Sequence, residues 1–93
     1  GVTYLTGRTI RNGTFVVVGD NGTILTSSDG TTWTSKTSGT TDNLTGVTYG
    51  NSTFVVVGDN GTILTSSDAT TWTSRTSGTS YQLKGVTFTE LTL

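Results

Sequence analysis

The ionisable side chains of this 93-residue sequence are few: six carboxylates, five cations, no histidine and no cysteine. Without imidazole there is no general base tuned near neutral pH and no histidine metal ligand. Without thiols there is no disulfide, no thiolate site and no cysteine nucleophile. Four of the carboxylates recur in two settings, Gly-Asp-Asn-Gly at Asp20 and Asp59, and Ser-Ser-Asp-x-Thr-Thr-Trp at Asp29 and Asp68. The first setting lacks the alternating carboxylates and distal glutamate of a calcium loop. Its leading glycines, Gly19 and Gly58, precede no helical pattern and so make no phosphate loop. In the second setting the aspartates are expected to accept hydrogen bonds from turn amides, a structural role. No acid, base and nucleophile can be assembled from these residues, so the expectation is a chain that is not an enzyme, with no catalytic residue, metal or cofactor. Asn-x-Thr at Asn12, Asn21, Asn43, Asn51 and Asn60 are formal glycosylation acceptors, of a kind that 25 threonines produce by chance.

The elements carrying these turns are duplicated. Residues 7–45 and 46–84 are two copies of a 39-residue unit in which only 10 aligned pairs differ. Phe15 falls on Phe54, Trp33 on Trp72 and Leu44 on Leu83. Such closeness marks a recent duplication or a design, and a period of this size marks units that cannot bury their apolar faces alone.

Within the second unit, Leu44 to Tyr49 reads as a strand, Gly50-Asn51-Ser52 as a turn and Thr53 to Val57 as a second strand. Asn60-Gly61 is a strong hairpin signal, because both residues tolerate positive φ. Thr62 to Thr65 and Thr70 to Thr76 complete four strands, with Ser66-Ser67-Asp68-Ala69 as the last turn. The first unit repeats the plan, although Arg8, at the place of Val47, makes residues 7–10 a poor inner strand. Phe-Val-Val-Val is a continuous apolar run rather than an alternating one, which predicts a sheet covered on both faces. The fold class expected is therefore all-β, with four-stranded antiparallel sheets arranged as β-propeller blades.

At Ser27, Asp29, Thr32 and Trp33, and again at Ser66, Asp68, Thr71 and Trp72, the chain resembles the Asp-box (BNR-like) β-propeller repeats. The resemblance covers residues 7–84. It departs from the family pattern in a turn one residue shorter and in Ala69, where the first copy has Gly30. The resemblance implies that the box is a structural turn between strands three and four, with the tryptophan packed beneath the aspartate and no catalytic part. Sialidases share the box, but their catalytic tyrosine, acid and arginine cluster have no counterparts that can be matched here.

Propeller geometry would bring Asp20, Asn21, Asp59 and Asn60 to one rim with Thr40 to Asn43 and Thr79 to Gln82. This rim is the candidate ligand surface: Asp20, Asn21, Asp42, Asn43, Asp59, Asn60, Tyr81 and Gln82. The copies differ there, Thr41-Asp42-Asn43 against Ser80-Tyr81-Gln82, and a tyrosine among polar groups suits a sugar.

A formal net charge of −1 and scattered cations exclude the basic stripe that nucleic acid requires. No apolar run approaches the roughly 20 residues that span a bilayer, so neither nucleic acid nor membrane is an expected partner, and nothing resembles a signal peptide. The cellular location is not legible. The chain opens on Gly1 rather than methionine, which suits a processed product or a piece of something longer.

Two blades cannot close a ring, and alone they would expose apolar faces that soluble monomers avoid. The expected partner is therefore the chain itself, as a cyclic homo-oligomer of three or four copies with a heterologous interface. The whole of 1–93 is read as one two-blade fragment with surplus strand-like segments at 1–6 and 85–93. Gly1-Val2-Thr3-Tyr4 and Gly85-Val86-Thr87-Phe88 both look like a first strand, and one end is expected to complete a neighbour's blade. The functional expectation is a self-assembling, non-enzymatic scaffold; the alternative is a multivalent, lectin-like glycan-binding module.

Overall fold

The computed structural model describes residues 5–11 and 14–87. The strand-like readings at Gly1 to Tyr4 and from Phe88 onward, and the Asn12 acceptor, lie outside the described residues. Among the described residues the chain is all-β: eight strands form two antiparallel sheets. The first sheet runs β1 (Leu5–Arg11), β2 (Thr14–Gly19), β3 (Ile24–Ser27), β4 (Thr34–Lys36) in spatial order, and the second β5 (Leu44–Gly50), β6 (Thr53–Gly58), β7 (Ile63–Ser66), β8 (Thr73–Arg75). Each sheet is a meander, every strand paired to its sequence neighbour.

Local chemistry explains the turns. Asn21 and Gly22 have φ of 57° and 69°, and Asn60 and Gly61 have φ of 59° and 70°. The Thr23 amide donates to the Asp20 carbonyl and the Thr62 amide to the Asp59 carbonyl, each at 3.1 Å. This is the left-handed pair that matches strand twist in a tight hairpin. Glycine is required at the second position for space as well: a Cβ on Gly22 would lie 1.9 Å from the Thr40 carbonyl oxygen, and one on Gly61 2.0 Å from that of Thr79.

The fourth strand is shorter than its sequence suggests. Thr31, Thr32 and Trp33, and likewise Thr70, Thr71 and Trp72, lie outside β4 and β8, because the Thr31, Thr32, Thr70 and Thr71 amides point at aspartate side chains instead of a neighbouring strand. The segment around Arg8, expected to make a poor inner strand, forms β1, paired along β2 from Leu5↔Gly19 to Arg11↔Thr14.

Cross-strand register sorts the side chains by face, since directly opposed residues share one. Val16 opposes Thr26 and Val18 opposes Ile24, so these four share one face of the first sheet. Val47 opposes Val56, Tyr49 opposes Phe54 and Val56 opposes Leu64, which puts them on one face of the second sheet. These two sets make the core. Val16, Val18, Ile24 and Val56 are fully buried, and Phe54, Leu64 and Ala69 nearly so. Tyr49 and Trp72 pack against its margin.

The faces that meet are not equivalent. Allowing for the 39-residue offset, the buried face of the first sheet corresponds to Val55, Val57 and Ile63 of the second, whereas the second sheet buries Phe54, Val56 and Leu64. The sheets therefore stack head to tail, like successive cards, instead of back to back. Close backbone approach between them runs along β1, β2 and β5, so the sheets converge at their first strands.

Head-to-tail stacking leaves one face of each sheet without a sheet against it. On the first sheet, Phe15, Val17 and Leu25 are only half-buried, and so are Val55 and Ile63 on the second. The covering of both faces expected from Phe-Val-Val-Val is thus met on only one face of each sheet within a single chain.

Candidate functional site

The serine–aspartate turns are closed by their own side chains. Asp68 Oδ1 accepts from the Thr70 amide at 2.8 Å and the Thr71 amide at 2.9 Å, while the Ser66 hydroxyl donates to it at 3.0 Å. Ser66 Oγ in turn accepts from the Asp68 and Ala69 amides. The first copy is the same: Asp29 Oδ1 takes the Thr31 and Thr32 amides at 2.8 Å and the Ser27 hydroxyl at 3.0 Å. Donation by these backbone amides holds both carboxyls below the usual aspartate value. Trp72 lies 6.3 Å from Phe54, centroid to centroid, and its Nε1 donates to the Ala69 carbonyl at 3.2 Å. Trp33 sits 6.1 Å from Phe15. Ser27, Asp29, Thr32, Trp33 and their copies Ser66, Asp68, Thr71, Trp72 therefore form two matching turns whose polar atoms serve the turn.

One difference separates them. The second turn is seated on the first sheet, burying Ala69 to 2% exposure, whereas Gly30 and Trp33 of the first turn are exposed. Thr14, Thr26, Thr34 and Lys36 line a groove closed by Asp68, Ala69 and Thr70. The same four positions in the second sheet, Thr53, Thr65, Thr73 and Arg75, line an equivalent groove with Ser66, Ser67 and Thr71 of their own turn, and no other described turn lines it.

The rim residues also come together, at the end of the sheets that carries both Asn-Gly turns. Asp42 bridges from the linker to the second sheet: its Oδ1 accepts from Asn60 Nδ2 and its Oδ2 from Thr62 Oγ1, both at 2.9 Å. Those two donors lower its pKa. Asn43 reaches the other way, its Oδ1 accepting from the Asn21 amide at 3.0 Å. Gln82 Nε2 donates to Asp59 Oδ1 at 2.6 Å. Asp20 uses its backbone carbonyl to hold both the amide and the hydroxyl of Thr23. Tyr81 stands apart, 81% exposed, with only its amide bonded, to Thr79 Oγ1.

Sequence reasoning gathered these eight residues at one end but missed the division of labour between Asp42 and Asn43. It also missed Thr62, Thr40 and Ser38, which order the loops; Ser38 Oγ both donates to the Thr40 carbonyl and accepts from its amide. The Ser-x-Thr pattern at 38–40 and 77–79 was the available signal. Among the described residues no three His, Cys, Asp or Glu side chains gather as a metal site. No described helix is long and apolar enough to cross a membrane. Comparison with protein-family models, with curated proteins and with solved structures finds no match to this chain.

Proposed function

We propose that this chain is a non-enzymatic scaffold whose activity is its own assembly: a pair of β-propeller blades that closes into a cyclic homo-oligomer. The observation that carries the reading is the head-to-tail stacking. The face left half-buried on the first sheet, Phe15, Val17 and Leu25, is the repeat-equivalent of the face that the second sheet buries. The half-buried face of the second sheet is likewise the equivalent of the one the first sheet buries. Each end of the molecule thus fits the other end of a second copy, which is a heterologous interface, and rotation at each step closes it into a ring. Convergence at the first strands supports a wedge, as a ring of blades needs. The spacing of Ser27, Asp29, Thr32 and Trp33, like that of Asp-box propeller repeats, supports it too. Three copies would give six blades and four would give eight.

A glycan-binding role for the rim has less behind it, since Asp42, Asn43, Asn60 and Gln82 already spend polar atoms on one another and on the turns. Only the Tyr81 ring is left open for stacking.

Leu25→Lys tests the reading. Leu25 is half-buried on the outer face of the first sheet, so a lysine there can keep its ammonium in water in the single chain. The variant should fold yet sediment as one chain at concentrations where the parent is an oligomer. Equal masses for parent and variant would contradict the proposal.

A further inference from the structure

After the second sheet the chain does not leave the molecule. The Leu83 amide donates to the Gly58 carbonyl at 3.0 Å, and the Thr45 hydroxyl donates to the Leu83 carbonyl. Gly85 and Val86 lie against β5 and β6, so close that a Cβ on Gly46 would be 3.6 Å from the Gly85 Cα and 3.7 Å from a Val86 methyl. Val57 is buried to 6% on that otherwise open face. The segment from Leu83 to Val86 therefore lies against the first strands of the second sheet, much as β5 lies along β1 and β2 of the first. The sequence of residues 83–87, Leu-Lys-Gly-Val-Thr, differs from Leu44 to Thr48 only at Lys84. In sequence this is the beginning of a third copy of the first strand. Among the described residues no second strand pairs with it.

Resting on the assembly proposed above, a conflict follows. A second copy stacked on the second sheet in the geometry of the first pair would bring its own β1 to the place that residues 83–87 already hold. Only one of the two can stand beside the incoming β2. Register and composition choose between them. In β5, Val47 opposes Val56 and is buried to 8%. In β1 the same register position, opposite Val17, is assigned to Arg8. In the C-terminal segment it falls to Val86, with Phe88 following at the sequence position of Tyr49. Valine is the residue type suited to a strand enclosed between sheets, and arginine is not.

We infer that assembly proceeds by strand exchange: residues 83–87 of one chain displace β1 of the next copy and pair antiparallel with its β2. Val86 then opposes the neighbour's Val17, and Thr87 its Val16. The ring is latched by backbone hydrogen bonds between chains as well as by packed faces, and the displaced β1 segment is released to solvent.

The absence of cysteine makes the test clean. Chains carrying only Val86→Cys are unfolded together with chains carrying only Val17→Cys, refolded and oxidised; a second mixture uses Thr87→Cys and Val16→Cys. Successive opposed pairs alternate between wide and close Cα spacing, so one mixture has the geometry a disulfide needs. The inference predicts a covalent dimer on a non-reducing gel from at least one mixture. It is overturned if the mixtures assemble without cross-linking while Arg8→Cys with Val17→Cys in one chain closes an internal disulfide within the oligomer; the ring then stands without the exchange. A refolded parent with the mass of a single chain overturns the ring and the exchange together.

Discussion

At the scale of residues, the two aspartate turns show how a chain with little charge uses its carboxylates. Each accepts two backbone amides that the short fourth strand leaves without a ladder partner, and each is thereby held below the ordinary value of 3.8. Asp42 is shifted the same way by Asn60 and Thr62. A carboxyl whose folded pKa is depressed adds stability that is fully present above its unfolded pKa and is lost as pH falls through the folded one. Thermal unfolding temperature should therefore be level from neutral pH to about pH 5 and fall below about pH 4. The double variant Asp29→Ala, Asp68→Ala should melt lower at pH 7 and show a shallower acid limb, with the remaining slope due in part to Asp42. An acid limb unchanged in the double variant would show that the turns are not linked to folding in this way.

At the scale of elements, backbone geometry identifies a cost the repeat has kept. The β5–β6 hairpin turns through Asn51 and Ser52 with φ of 51° and 60°, a conformation that suits Asn and Gly but costs most other residues about 1–2 kcal/mol. The first copy has glycine, Gly13, at the place of Ser52. Ser52→Gly should stabilise the fold by about 1 kcal/mol, raising the melting temperature by about 4–8 °C, and a melt that falls would refute this account of the turn. The strands and hairpins were legible in the sequence because their signals are local: an apolar run bounded by Asn-Gly, twice. The true length of β4 and β8 was not, because threonine is strand-favouring whether its amide joins a ladder or an aspartate. The Asp42–Asn60 bridge was not either, since it joins residues from different repeats and depends on how the sheets stack. Arg8 shows that pairing and enclosure are separate matters: its type argued against an inner strand, and β1 still pairs along β2.

At the scale of the whole molecule, an internal duplication produces the interface used between sheets and then leaves its two halves without a sheet against them at the two ends. Val16, Val18 and Ile24 meet Phe54, Val56 and Leu64 within the chain, and of their repeat-equivalents Phe15, Val17, Leu25, Val55 and Ile63 are half-buried while Val57 is covered beside Gly85 and Val86. Near-identity of the copies makes the free ends as complementary as the joined ones. Rings differ from filaments only in whether the rotation per sheet divides evenly into a full turn, and in the proposed assembly the convergence at β1, β2 and β5 would supply that rotation. In the proposed ring, the eight-residue rim, collected at one end, would become a repeating surface. The most direct test of this account is the native mass of the unmodified chain across a dilution series. The account predicts one closed species of three or four chains with nothing larger accumulating; a single-chain mass at tens of micromolar, or an open-ended ladder of masses, would contradict it.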